Sequence, residues 1–302
     1  MENTGFAGKM RIKMALREIS RLACLATAIM MLIGSPFLPV RDANAASVTI
    51  PNFWDPGERL AKPDIDGLPR LRFLTTTDFP PFNFIDRNRR LAGFHIDLAR
   101  AICAELGILP KCQIQALPWE ELETAIKKGE GEAILAGLEI TPETVSRYEF
   151  SRTYFRVPAR FVVRRDEPFA DTAATALRAR KTGIIAGSRH AAWFVKAFPR
   201  LQSQTFASRK EALDALQQKK VDAVFTDAVS LSFWLQSDAS ADCCKFADGP
   251  YLSDDDFGAD MAIAFAKGNP DLVNAANYAL KEINDKGIFA ELYLRYFPLG
   301  LF

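Results

Sequence analysis

Two acidic side chains stand where an apolar run gives out. Asp227 closes the run Ala223-Val224-Phe225-Thr226, and Glu139 comes two positions after the run from Ala133 to Gly137. A carboxylate buried there must meet a cation, face solvent or be protonated, and Glu139 is the one candidate acid or base for an enzyme. Only two histidines are present, and neither is placed for catalysis: His95 opens a helix and His190 lies in a helix N-terminus. No nucleophile motif, phosphate-binding loop or zinc pattern occurs.

The elements that position them form a repeat. Residues 121–137 read ELETAIKKGEGEAILAG and residues 211–227 read EALDALQQKKVDAVFTD. Each opens on a helix with apolar residues at matching places: Leu122, Ala125 and Ile126, then Ala212, Ala215 and Leu216. Each turns through a Lys-rich stretch, passes Glu132-Ala133 or Asp222-Ala223, and enters a strand-length apolar run. A helix returning into a buried strand is half of a parallel βαβ unit. Two such halves predict two α/β lobes. Ligands of open α/β sheets bind beyond the carboxyl ends of the strands, so Gly137 and Asp227 should line a cleft.

The first 45 residues are read as a secretory leader: Lys9 to Arg21 is basic, Leu22 to Val40 apolar, and Ala43-Asn44-Ala45 a small-residue cleavage site. Its removal takes the formal net charge of the 302-residue chain from +1 to −2, which leaves no basic balance for nucleic acid. No cofactor and no metal are expected; adjacent Cys243 and Cys244 do not fit tetrahedral zinc. An even set of four mature cysteines in an oxidising compartment favours disulfides, with Cys103 and Cys112 the expected pair. For Cys243 and Cys244 three states stay open: bonded to each other, free, or cross-paired.

Residues 46–69 carry four prolines and no periodicity, which predicts an extended arm anchored by Phe53 and Trp54. Strands are expected at Arg72–Thr76, Cys112–Gln115, Arg160–Arg164, Thr182–Ala186 and Met261–Phe265. Helices are expected from Gly93 to Leu106, from about Ala191, over Ala228–Leu235 and near Pro270–Asp285, with a last one through Tyr296.

In order, the segments TTTDFPPFNFID, LAGFHIDLARAICAELG, PWEELETAIKKGEGEAILAGLEITPE, YEFSRTYF, TGIIAGSRHAAWF, KKVDAVFTDA and INDKGIFAELYLRYFP resemble the family 3 extracellular solute-binding proteins, receptors of polar amino-acid ABC importers. The resemblance spans about residues 70–298. It implies an α/β, two-lobed periplasmic-binding-protein fold of type II, with a ligand cleft between lobes joined by two crossings near Val157 and Gly258. Residues 70–157 plus 259–302 would form lobe 1 and 158–258 lobe 2. It also implies a ligand shell: Phe79 and Trp119 as aromatic platforms, Gly137, Leu138 and Glu139 after the first repeat strand, Ser188 and Arg189 at a helix N-terminus, and Asp227 for a ligand ammonium. The implied partners are a small polar solute and an inner-membrane ABC permease, for a periplasmic, monomeric protein.

One position departs from the pattern. Family members that bind amino acids carry an arginine for the α-carboxylate three residues after the Thr of I-T-x-x-R, where this chain has Thr144. Glu139 adds a negative charge close by, so the cleft moves toward negative charge, and a cation without an α-carboxylate fits Glu139 plus Asp227 better than an ordinary amino acid does; Arg189, which would otherwise take over the missing carboxylate clamp, Arg147 and Arg152 are the available counter-ions. A dehydratase-like enzyme on the same scaffold and a module that binds nothing in its cleft are the alternatives.

Overall fold

The computed structural model describes residues 48–169, 172–253, 257, 260–297 and 299–302. The leader, the first mature residue Ala46 and the crossing near Gly258 lie outside the described residues.

Two five-stranded sheets carry the fold. The first has the order β5 (Cys112–Ala116), β1 (Leu71–Thr75), β6 (Ala133–Ile134), β15 (Ala264–Ala266) and β7 (Tyr148–Phe150). The second has the order β11 (Gln202–Phe206), β10 (Lys181–Ile185), β12 (Ala223–Asp227), β9 (Ala159–Arg164) and β13 (Cys244–Phe246). Three strands run parallel in each, and the fourth is antiparallel to the third. That antiparallel strand comes from the far end of the chain in the first sheet and opens the second. The loop after β1 folds into a small antiparallel sheet of β2 (Asp78–Phe79), β3 (Asn83–Ile85) and β4 (Leu91–Ala92). Between the large sheets in sequence, β8 (Phe155–Arg156) pairs antiparallel with β14 (Asp260–Met261), next to Val157. The Arg156 and Asp260 side chains pair at 3.3 Å.

The helices are α1 (Phe94–Glu105), α2 (Trp119–Lys127), α3 (Pro142–Arg147), α4 (Ala173–Ala176), α5 (Arg189–Ala197), α6 (Arg209–Gln217), α7 (Ala228–Gln236), α8 (Pro270–Asp285) and α9 (Ile288–Tyr296). Both faces of each large sheet are covered, as parallel strands require. Phe73, Ala133, Leu135 and Phe265 join a core with α1, α8 and α9, while Leu74, Ile134, Ala136 and Ala264 pack with Leu122, Ala125 and Ile126 of α2. The second sheet alternates likewise. Phe161, Val163, Ala223 and Phe225 meet Phe194 of α5 on one face. Val162 and Val224 meet Leu213, Leu216 and Leu231 on the other.

From Val48 to Arg70 the chain forms neither helix nor strand. Trp54 is buried beneath the Arg152 guanidinium, 5.5 Å away, and Phe53 meets the C-terminal Phe302 edge-on at 5.9 Å. Three local expectations change. Helix α5 begins at Arg189, because Ser188 caps it through Ala191 N–H. The run Met261–Phe265 breaks into two strands, since Ile263 N–H bonds the Ser151 hydroxyl and its carbonyl bonds Ser151 N–H. Strand β11 is one that the sequence does not announce; its residues Gln202 to Thr205 are exposed and carry no apolar alternation.

Cys103 and Cys112 are bonded, Cα atoms 6.1 Å apart. Cys243 and Cys244 are bonded to each other, which selects one of the three open states.

Candidate functional site

Every residue singled out after a repeat strand stands at the carboxyl end of its sheet. Beyond β6 the chain reaches Gly137 in the left-handed region, φ +77°. A side chain there is excluded twice. The backbone favours glycine, and a Cβ would come within 2.6 Å of the Phe79 ring. Phe79 in turn stacks on Phe82 at 4.9 Å. The loop that carries it is fixed by a buried chain of hydrogen bonds. Asn83 Nδ2 donates to Thr76 Oγ1, His95 Nδ1 donates to Asn83 Oδ1, and Tyr154 O–H donates to His95 Nε2 (2.7, 2.8 and 2.8 Å). Burial pushes His95 down to about 3, so the imidazole is neutral at pH 7 and this network fixes its tautomer. His95 is thus a positioning residue for the Phe79 loop.

Glu139 forms an antiparallel backbone bridge with Met261. Its carboxylate accepts from Arg189 Nη2 at 2.9 Å. The ion pair joins the loop after β6 to the first turn of α5, linking the two sheets' strand ends. Both side chains are about half exposed, 52% for Arg189 and 43% for Glu139, a setting in which an ion pair contributes about 0–1 kcal/mol.

Thr144 is buried within the capping box of α3. Its hydroxyl donates to the Glu139 carbonyl (2.7 Å) and accepts from Thr141 N–H (2.8 Å), and Thr141 Oγ1 accepts from Thr144 N–H. The position that departs from the family's arginine is thus filled by a helix cap. Arg147 pairs with Glu123 and Glu143, and Arg152 with Glu58. Trp119 opens α2, 47% exposed, and lines a groove shared with Leu138 and Tyr148.

On the second sheet, Ser188 caps α5 and donates its own proton to the Ile185 carbonyl at 2.9 Å. His190 lies in the same turn, stacked on Phe257 at 4.9 Å, and its Nε2 has no hydrogen-bond partner among the described residues. Burial lowers its pKa, partly opposed by the Asp227 charge. Asp227 caps α7 through Ser230 N–H (2.7 Å), and its second oxygen faces Arg209 Nη1 at 3.4 Å.

Arg209, His190 and Phe257 were not among the site residues read from the sequence. One signal for Arg209 was available: Ser188-Arg189 and Ser208-Arg209 are the same dipeptide, each a serine cap leading into an arginine that opens its helix. Among the described residues no group of three His, Cys, Asp or Glu could hold a metal, and no helix is long and apolar enough to cross a membrane. The chemistry on offer is recognition by charge, aromatic faces and backbone N–H groups.

Known proteins resemble this chain in sequence and fold. The chain is 29% identical to the putative ABC transporter arginine-binding protein 2 of Escherichia coli, over 75% of this chain and 90% of that protein. It is 29% identical to the L-arginine-binding protein of Pseudomonas aeruginosa, over 74% and 86%. Among solved structures, an ancestral cationic amino acid solute binding protein superposes with a TM-score of 0.58 at 26% identity, covering 76% of this chain and 96% of that one. Residues 71–299 match the bacterial extracellular solute-binding proteins, family 3, and the chain belongs to that family.

Proposed function

We propose that this protein is the periplasmic receptor of an ABC importer and binds a small cationic, amino-acid-like solute between the strand ends of its two sheets. The observation that carries the reading is the Arg189–Glu139 ion pair, because it joins the two strand ends on which a shared cleft would be built. Asp227 would hold the solute's cation with the oxygen that does not cap α7. Phe79 and Trp119 would cover its apolar stem, and Gly137, Leu138 and Ser188 would bond its polar groups. With Thr144 committed to a helix cap, an α-carboxylate would fall to Arg189 and the free N–H groups at the start of α5. Relatives named for arginine, and others named for histidine or for lysine, arginine and ornithine, support a cationic class. Export by the leader, removal of that leader near Ala45, and delivery by hinge closure about the β8–β14 pair complete the reading. Lobe 1 would comprise 70–157 plus 259–302, lobe 2 158–258, and the receptor would act as a monomer.

Thermal-shift screening of the mature protein against amino acids, polyamines and organic acids tests this. Cationic amino acids should raise the melting temperature without being consumed. Stabilisation by organic acids alone, or turnover of the solute, would overturn it.

A further inference from the structure

The cation site proposed above is already holding a cation. Asp227 spends Oδ1 on the α7 cap at 2.7 Å, so Oδ2 is the atom left for a solute, and Oδ2 faces the Arg209 guanidinium. The acidic group that follows the corresponding strand of the first sheet, Glu139, is likewise held by Arg189. We infer that Arg209 is a resident surrogate for the solute's cationic group: it pairs with Asp227 in the empty receptor and must yield when a guanidinium or ammonium solute arrives. This inference rests on the proposed role of Asp227.

Three features suit Arg209 to the task. Its side chain is 48% exposed, whereas that of Asp227 is 20% exposed, so the arginine can withdraw into water while the carboxylate stays. The contact is long, 3.4 Å, and single rather than bidentate, so it is cheaply broken. Arg209 also opens α6 from a serine-capped turn, so its backbone is fixed and only the side chain has to move. A resident counter-ion keeps Asp227 from standing uncompensated when the cleft is empty. It also selects among solutes: a solute that offers Asp227 no cationic group gains nothing there to offset the loss of Arg209, whereas a guanidinium or ammonium replaces like with like.

The test is calorimetric titration of the mature protein with L-arginine and with its decarboxylated analogue, which keeps the guanidinium and lacks the α-carboxylate. Arg209→Gln should bind both about two- to five-fold more tightly than wild type at low salt, the range of one exposed ion pair. The gain should shrink as salt rises. Arg209→Lys should stay near wild type. Lys210→Ala, which loses a positive charge from a neighbouring pair with Asp214, should also stay near wild type, excluding a general change of field. Unchanged or weaker binding by Arg209→Gln, while wild type binds, would overturn the surrogate and leave the cationic site standing. No binding of either probe by any variant would overturn both.

Discussion

The two repeat units, 121–137 and 211–227, make their strands in the same way and finish them differently. Both helices end with a left-handed residue, Gly129 at φ +69° and Lys219 at φ +61°. Both then place an acidic residue that anchors the strand behind them. Glu132 accepts from Arg72 N–H at 2.7 Å and Asp222 from Lys181 N–H at 2.9 Å. Each also gives its own N–H to the carbonyl of that same residue. Past the strand the copies separate: one ends in a glycine pressed against an aromatic ring, the other in a charged cap. The matching parts are those a βαβ unit needs to close. The differing parts are the ones a solute would meet.

The largest difference is the charge at Asp227. Asparagine caps helices as well as aspartate does, so Asp227→Asn should keep the melting temperature within a few degrees. Its binding of a cationic solute should weaken by about 2–5 kcal/mol, the scale of breaking a desolvated charge pair, some 30-fold or more. Equal affinity in calorimetry would reduce Asp227 to a cap and erase the functional half of the comparison.

A second asymmetry lies in the cores. His95 belongs to the first half and is held neutral with its pKa near 3. The unfolded chain takes up a proton near pH 6.5; the folded chain resists it until about pH 3. Stability should therefore fall as pH drops through that window, by about 2.5 kcal/mol between pH 7 and 4.5 from this group. Urea unfolding at both values, for wild type and His95→Gln, isolates the effect; equal slopes would remove it.

The anchors should also be unequal. Asp222 faces the Arg164 guanidinium, which is only 5% exposed, whereas Glu132 faces Arg70, 35% exposed. Asp222→Ala should cost about 2–3 kcal/mol and Glu132→Ala about 1 kcal/mol in chemical denaturation. Equal costs would mean that burial of the partner does not govern the turn. The smallest effect is expected at Lys219, a non-glycine residue in the left-handed region: Lys219→Gly should stabilise by about 0.5 kcal/mol, relief of strain less the entropy of glycine. A loss of stability would show that this lysine does more than turn the chain.

The scaffold was legible because its signals are periodic. Apolar spacing in α2 and α6, the two acidic anchors and the two strand runs all lie within short windows. Strand β11 escaped because the side chains of Gln202 to Thr205 are solvated and only its last residue, Phe206, packs against the core; the rest is placed by pairing with β10. The site was legible only in part. Glu139, Arg189 and Asp227 stand out by type and position, and the pairing of the first two was among the outcomes that charge alone allowed. The Arg209–Asp227 contact joins residues 18 apart through the start of a helix, and the packing of Phe79 on Gly137 joins two loops. Neither leaves a periodic trace. Thr144 shows the opposite limit: its departure from the family's arginine was plain, but its capping role needed the backbone of Glu139 in view.

The central claim, that one solute is held between the strand ends of both sheets, is tested most directly by a crystal structure of the mature protein with L-arginine bound. The account predicts the guanidinium or ammonium group within hydrogen-bond distance of Asp227, the solute against Phe79 and Gly137, and Arg209 withdrawn. A solute lodged elsewhere, with Asp227 still paired to Arg209, would contradict it.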